Sequence, residues 1–261
     1  MLSSISKITA IALAAAMGTA VAAQDLQVGA NIGNVPWEFQ DDTGANVGFE
    51  VDLVNAVAEK LGRGVEIVNI PFQGLFSAVQ SGRVDIAMSS ITITQERLES
   101  VTFAQPYYDS DQSLTVAADG PASLDEMSGK VVGVDTGSTG DMWATENAAE
   151  YGFATINRYE GLAPAMLDLA AGRIAGYISD IPALQYYVKD KPELKVVQRI
   201  ATGEAYSMMF AKNVPLATEV NDVLSALKED GTVAALHEKW FGATPEDTTS
   251  TVTVMDMPTL N

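Results

Sequence analysis

Two segments of this chain repeat the same order of features. In each, a helical pattern ends at a Gly-Arg pair, an apolar stretch follows, and polar residues end the unit, as GRVDIAMSS from Gly82 and as GRIAGYISD from Gly172. Helices that alternate with apolar strands are typical of parallel α/β sheets. The repetition therefore predicts an α/β protein with two similar lobes.

The rest of the chain fits this interpretation. Strands are predicted at LQVGAN, VEIVNI, KVVGV and ATINRY, and helices at VGFEVDLVNAVAEKLG, FQGLFSAVQ, GDMWATENAAEYG and GLAPAMLDLAAG. The first helix carries Val51, Val54 and Val57 on one face, and Gly62 is expected to end it. With 261 residues, the chain is long enough for two lobes that each have a core.

The amino terminus has the pattern of an export signal. Lys7 precedes an apolar run at 8–17 and small residues in TAVAAQD, which predicts a signal peptide at 1–23 cleaved near Ala23. The sequence has no cysteine, which excludes disulfides and a lipid anchor on an amino-terminal cysteine. We therefore expect a soluble periplasmic protein. Its net charge of −19, or −20 once Lys7 is removed, disfavours nucleic acid and anionic lipid.

Most catalytic and cofactor sites are excluded by the residues that the sequence lacks. His237 is the only histidine and is expected on a helix at the surface, and no GxSxG segment is present. DDTGANVG fails the EF-hand spacing and predicts a hairpin turn. GVDTGSTGDM lacks the lysine of a phosphate loop and the GxGxxG spacing. The sequence therefore predicts no cofactor and no metal site.

Polar residues stand where the two repeated strands end. Ser90 and Thr92 follow the first strand, and Ser179 and Asp180 end the second. Ligands of open α/β sheets bind beyond the carboxyl ends of the strands. If the lobes face each other, these residues are expected to line one cleft.

Arg97 occupies an unusual position for a cation. With Thr94 as the N-cap of a short helix, Arg97 is the third helical residue, at the positive end of the helix dipole. It could pair with a neighbouring glutamate on a solvated helix, and Asp180, just before Ile181 and Pro182, could serve as a helix N-cap. Opposed across a cleft, a cation and an anion instead suit a zwitterion.

The sequence resembles the periplasmic solute-binding proteins, family 3, that serve ABC importers of polar amino acids. The matching segments are VPWEF with VGFEVDLVNAVAEKLG, ITITQERLESVTFAQPYY, GKVVGVDTGST, GRIAGYISD and DGTVAALHEKWFG, in the order of the family. The resemblance implies the periplasmic binding protein type 2 fold, with a mixed, mostly parallel sheet flanked by helices in each lobe. Residues 24–110 and 206–261 would form lobe 1 and 111–205 lobe 2, with crossings near 108–112 and 204–207.

The resemblance also implies a ligand site. Arg97 matches the arginine that binds the α-carboxylate of the ligand, and Ser90 and Thr92 match positions that add hydrogen bonds there. Asp180 matches the acid that holds the α-ammonium group. The site would therefore read the backbone of an amino acid.

Four further positions complete this implied site. Ser138 and Thr139 match a loop at a helix start, whose backbone donors complete the carboxylate site. Phe72 and Asn34 match positions that flank the ligand. Asn34 departs from the family, which commonly has an aromatic residue there.

The position of Asn31 bears on the side chain of the ligand. Family members that bind cationic side chains tend to have an acid near this position. Asn31 therefore disfavours lysine or arginine as the ligand, although Asp135 could supply a negative charge from the other lobe. The sequence leaves the side-chain specificity open.

The resemblance implies a non-enzymatic, monomeric receptor that delivers a polar amino acid or related zwitterion to an inner-membrane ABC permease with its ATPase subunits. The ligand is expected to shift an open form toward a closed one. One alternative is an exported dehydratase of a cyclic acid, with Glu38 or Asp135 as acid or base. Another is a ligand-sensing protein that feeds a signalling pathway.

Overall fold

A computed structural model gives the structure of residues 24–260. The predicted signal peptide at 1–23 lies outside the described residues, as does Asn261. Within the described range, no helix is both long enough and apolar enough to span a bilayer. The described residues form two α/β lobes, which confirms the predicted fold class.

Strands and helices succeed one another along the described residues, with a 3₁₀ turn at Leu124–Met127. They are β1 Leu26–Ala30, β2 Phe39–Gln40, β3 Asn46–Val47, α1 Phe49–Leu61, β4 Val65–Asn69, α2 Phe72–Gln80, β5 Ile86–Ala87, α3 Gln95–Ser100, β6 Val101–Phe103, β7 Tyr108–Ala117, β8 Val131–Asp135, α4 Thr139–Glu146, α5 Ala148–Tyr151, β9 Thr155–Tyr159, α6 Leu162–Ala170, β10 Gly176–Asp180, α7 Ile181–Val188, β11 Leu194–Tyr206, β12 Met209–Ala211, α8 Pro215–Glu229 and α9 Thr232–Phe241.

The sheet of the first lobe has the strand order β4-β1-β5-β12-β6. Strand β1 is parallel to β4 and β5, whereas β12 is antiparallel to β5 and β6. Helices α1, α8 and α9 contact one another and form one apolar core with β1, and α2 contributes to a second core. The predicted hairpin turn is present, since Phe39 pairs with Val47 across β2 and β3.

Helix α1 shows how local sequence fixes one of these elements. It begins after Gly48, where a β-carbon would lie 2.1 Å from the carbonyl oxygen of Trp37, so only glycine fits. It ends at Leu61, because Gly62 adopts the left-handed conformation with φ of 66°. Its predicted apolar face is buried against the sheet.

The sheet of the second lobe has the order β11-β7-β10-β8-β9. Strand β8 is parallel to β9 and β10, while β7 is antiparallel to β10 and β11. The chain passes between the lobes from β6 to β7 and again from β11 to β12. Because Tyr206 pairs with Tyr108, the two crossings lie side by side. The crossings are confirmed, while the exact lobe boundaries stay a prediction.

Two local predictions differ from the structure, and two long strands were missed. The apolar stretch before Ser90 contributes only Ile86–Ala87 to the ladder, since the backbone of Ser90 turns to a φ of 44°. The helix predicted over GDMWATENAAEYG is split at Asn147, whose side chain donates to the Trp143 carbonyl at 2.8 Å. The long strands β7 and β11 were not predicted, because their polar residues hide the strand pattern.

The tail after α9 packs on lobe 1 next to the first crossing. The amide of Ser250 donates to Asp109 Oδ2 at 2.8 Å, and Lys228 Nζ donates to the Thr253 carbonyl at 2.9 Å. His237 is half-buried, stacks on Tyr108 and lies 2.7 Å from the Ala243 carbonyl oxygen through Nδ1. Its burial lowers the pKa of its imidazole, which fits the predicted position at the rim of the fold.

Candidate ligand-binding site

A cavity of about 110 Å³ lies between the lobes, where strand ends of the two sheets meet. Its wall contains every residue that the sequence predicted for the ligand site: Asn34, Phe72, Ser90, Thr92, Arg97, Ser138, Thr139 and Asp180. The structure therefore brings these residues together. Their individual roles stay predictions.

Arg97 reaches this cavity from the first turn of α3. Thr94 caps the helix as predicted, since its hydroxyl accepts the Arg97 amide at 3.1 Å. The guanidinium donates from Nη1 to the Thr92 carbonyl at 2.7 Å and from Nη2 to the Gly137 carbonyl, in the other lobe, at 3.2 Å. Both partners are neutral, and none of the ion pairs within residues 24–260 involves Arg97.

The surroundings of Arg97 leave its charge exposed to an incoming anion. Only 5% of the residue is solvent-accessible, and this burial lowers the pKa of the guanidinium to about 10, against the opposing effect of Glu204 and Asp180. The Phe72 and Phe76 rings lie 5.6 and 5.2 Å from its central carbon. A buried cation that bonds only to carbonyls is poorly compensated. It is therefore suited to a carboxylate.

Asp180 lies on the opposite wall, at the end of β10 and the start of α7. Although it occupies the N-cap position, its side chain makes no capping hydrogen bond. Its Oδ1 accepts Gln112 Nε2 at 2.6 Å, and its Oδ2 accepts the Ser90 hydroxyl at 3.1 Å. Burial first, and then the charge of Glu204, raise the pKa of Asp180 to about 7. A ligand ammonium group would favour the ionised form.

A buried acid beneath the site holds the backbone of Ser90 in position. Its amide donates to both carboxylate oxygens of Glu50 at 2.9 and 3.1 Å, which explains its left-handed backbone. Glu38 lies beside Glu50 and accepts the Ser89 hydroxyl at 2.5 Å. Burial, followed by the charge of Glu50, raises the pKa of Glu38 well above its usual value. Both acids are fully buried, so neither lines the cavity.

The threonine hydroxyls of the site point to a residue that the sequence did not predict. Thr92 Oγ1 donates to Glu204 Oε2 at 2.7 Å, and Thr139 Oγ1 donates to the same oxygen at 2.9 Å. The Ser138 hydroxyl accepts the Asp141 amide at 3.1 Å and caps α4. In this arrangement the backbone at the start of α4, rather than these hydroxyl protons, is available to an anion.

The far end of the cavity is acidic. Asp135 ends β8, Glu160 follows β9, and Asn31 approaches from the first lobe. Burial raises the pKa of Asp135 to about 6, and its Oδ1 has no hydrogen-bond partner within the described chain. The sequence had offered Asp135 as a charge from the other lobe, but Glu160 was missed. The strand-end rule, applied to β9 as well, would have found it.

The sequence of residues 26–243 matches the family model of the bacterial extracellular solute-binding proteins, family 3. Among curated relatives, the arginine-binding extracellular protein ArtP of Bacillus subtilis (strain 168) is 32% identical over 79% of this chain and 82% of ArtP. The L-cystine-binding protein TcyJ of Escherichia coli (strain K12) is 31% identical over 80% of this chain and 79% of TcyJ.

Solved structures agree with the sequence match. An ancestral arginine-binding protein bound to arginine superimposes with a TM-score of 0.79 at 34% identity, over 84% of this chain and 98% of that one. The ancestral amino acid-binding protein AncCDT-1, a precursor of cyclohexadienyl dehydratase, has a TM-score of 0.73 at 33% identity, over 83% of this chain and 95% of that one. The similarity thus spans both lobes.

Proposed function

The chain belongs to the bacterial extracellular solute-binding proteins, family 3, and from this membership we propose that it is the substrate-binding component of an ABC importer. It captures a polar amino acid or a related small zwitterion between its lobes, in the periplasm, as a monomer. It then delivers this ligand to a membrane permease that works with ATPase subunits. Relatives that bind arginine and cystine support this proposal.

One observation carries the proposal: Arg97 and Asp180 line the same cavity from different lobes. The guanidinium of Arg97 binds the ligand carboxylate, together with backbone amides at the start of α4, and Asp180 holds the ammonium group. Hydrogen bonds to charged groups contribute about 1.5–3 kcal/mol each. Three or four of them, after ordering costs, are compatible with the roughly 8 kcal/mol of a micromolar complex.

The acidic end of the cavity extends the proposal to the side chain of the ligand. Arg97 and Asp180 balance the two charges of an amino-acid backbone, which leaves Asp135 and Glu160 as unmatched negative groups in the wall. Glu160 is exposed, whereas burial raises the pKa of Asp135, and burying an acid without a counter-charge costs free energy. A cationic side chain directed toward Asp135 offsets this cost. We therefore place arginine or lysine ahead of neutral amino acids as the ligand.

Ligand binding is coupled to closure of the lobes, because the ligand reaches both Arg97 and Asp180 only when they approach each other. Direct contacts between the lobes, such as Ser90 with Asp180, support a closed conformation of this kind. The closed form is then the one that a permease recognises.

A second candidate, an exported dehydratase, is favoured by the similarity to AncCDT-1, although most relatives are binding proteins. Of the two acids considered for it, Glu38 is fully buried under Ser89 and outside the cavity wall, so it is not available to a bound substrate. Asp135 lines the cavity and is the acid that such a reaction would use. Incubation of the protein with prephenate or arogenate tests this activity.

A thermal-shift screen of the mature protein against amino acids, opines and betaines tests the main proposal. Arginine is compared with citrulline, which has nearly the same shape without the charge, because a true ligand raises Tm by mass action. We expect arginine or lysine to raise Tm most, and Asp135→Asn to reduce the arginine shift but not the citrulline shift. Asp119→Asn, an exposed acid in the same lobe, is the matched control. Equal shifts for arginine and citrulline would contradict the cationic assignment, and no shift for any compound of the screen would contradict the receptor.

A further inference from the structure

Glu204 lies at the second crossing between the lobes, where β11 approaches its end. Its backbone pairs with Ser110 of β7, and the residue is 7% exposed. It does not line the main cavity. The sequence motifs did not predict Glu204 as a site residue.

The carboxylate of Glu204 is hydrogen-bonded to both lobes at once. Its Oε2 accepts Thr92 Oγ1 at 2.7 Å from the first lobe and Thr139 Oγ1 at 2.9 Å from the second. Its Oε1 accepts Gln112 Nε2 at 2.9 Å, and the same amide nitrogen donates to Asp180 at 2.6 Å. One buried side chain therefore bonds to two residues of the cavity wall, Thr92 and Thr139, and is connected to Asp180 through Gln112.

Two other hydrogen bonds between the lobes, unlike those of Glu204, involve groups that are proposed to bind the ligand. Ser90 bonds to Asp180, and Arg97 bonds to the Gly137 carbonyl. Asp180 and Arg97 are the groups that the ligand itself would engage, so these bonds compete with ligand binding. The bonds to Glu204 do not involve Asp180 or Arg97. They can persist when the ligand is bound.

The charge of Glu204 also acts on both ligand-binding groups. It favours the charged form of Arg97 and, after burial, is the main cause of the raised pKa of Asp180. The ionisable groups that face Asp180 are Glu204 and Tyr206 on β11, Tyr177 on β10 and Arg97 on α3. Removing the charge of Glu204 would therefore lower the pKa of Asp180.

We propose that Glu204 is a positioning residue that holds Thr92 and Thr139 together and thereby sets how much of the protein is closed before the ligand enters. This inference concerns the regulation of the proposed amino-acid site and rests on that function. When the binding-competent form is only partly populated, the apparent affinity falls in proportion. Glu204 thus contributes to affinity without touching the ligand.

The test is Glu204→Gln, which keeps the shape but removes the charge. An amide can accept both threonine hydroxyls through its oxygen, but its nitrogen then faces the Gln112 nitrogen, so donor meets donor. Since the chain has no cysteine, cysteines at Ser77 and Met142, exposed on α2 and α4, can carry spin labels that report the distance between the lobes. Glu193→Gln, an exposed glutamate next to β11, is the matched control.

We expect Glu204→Gln without ligand to shift the label distances toward the open form. Arginine affinity should fall about tenfold, and the midpoint of its pH dependence should move to lower pH, because the charge that raises the pKa of Asp180 is removed. Thr92→Val, which removes the first-lobe partner of Glu204, should open the lobes without moving that midpoint, and it decides the closure result if Glu204→Gln does not fold.

Unchanged label distances in both variants would overturn the inference, as would an unchanged pH midpoint in a folded Glu204→Gln protein. The distances are measured without ligand. A native protein that binds no amino acid would therefore contradict the proposed function while leaving the closure result intact.

Discussion

The two ends of the cavity differ in how far their polar groups are satisfied. At the backbone-binding end, Arg97, Asp180 and Ser90 are all held by hydrogen bonds to neighbouring groups. At the far end, Asp135 has an unpartnered oxygen and Glu160 stands next to it. A preorganised end recognises what all amino acids share, whereas an end with uncompensated charge discriminates between side chains.

Loss of Arg97 tests the backbone-binding end most strongly. In Arg97→Ala, we expect the affinity for every amino-acid ligand to fall about 100-fold or more, because truncating one partner of a buried charge pair costs about 2–5 kcal/mol. Titration calorimetry measures the change, with Arg83→Ala, an exposed arginine of the same lobe, as control. An Arg97→Ala protein that keeps its full affinity would remove Arg97 from the site.

The pH dependence of affinity separates the two ends. Asp180, with a pKa of about 7, binds the ammonium group when ionised, so affinity is complete above pH 7 as long as the ligand ammonium keeps its proton, and it falls about tenfold per unit below pH 7. Asp135, with a pKa of about 6, adds a second loss for a cationic side chain below pH 6. We therefore expect a steeper fall for arginine than for citrulline between pH 6 and 5. Parallel curves would mean that Asp135 does not contact the side chain.

A smaller effect concerns the stability of the protein without ligand. Asp135, Asp180 and Glu38 have raised pKa values in the folded state, so the folded protein binds more protons than the unfolded one near neutral pH. Their contribution to stability is lost as pH rises. From pH 8 to 6.5 we expect Tm to increase by about 2–4 °C, while affinity declines. Calorimetry of Asp180→Asn should show a flatter curve, and a native Tm that falls over this range would contradict the assignment.

The parts of the site that could be predicted from the sequence are those that depend on local patterns, and the parts that could not are those that depend on contacts between distant segments. The capped position of Arg97 and the matching strand ends of Ser90 and Asp180 depend on local patterns, and all three residues line the cavity, while their roles stay predictions. The contacts of Glu204 and Gln112 could not be predicted, because they depend on pairing between β7 and β11, whose polar residues do not form an apolar strand pattern. The direction of the Asp180 side chain, away from its N-cap role, likewise depends on the other lobe.

The order of strands in the first sheet has a consequence for the order in which the two lobes fold. Strand β12 lies between β5 and β6, although it follows every strand of the second sheet in the sequence, and the described strands of the second sheet all lie within residues 108–206. Chains emerge from the ribosome amino end first, and domains tend to fold as units. The second lobe can therefore assemble while the first still lacks an inner strand. Arg97 is synthesised before β12, so the capacity to bind a ligand is expected only after β12 has joined the first sheet.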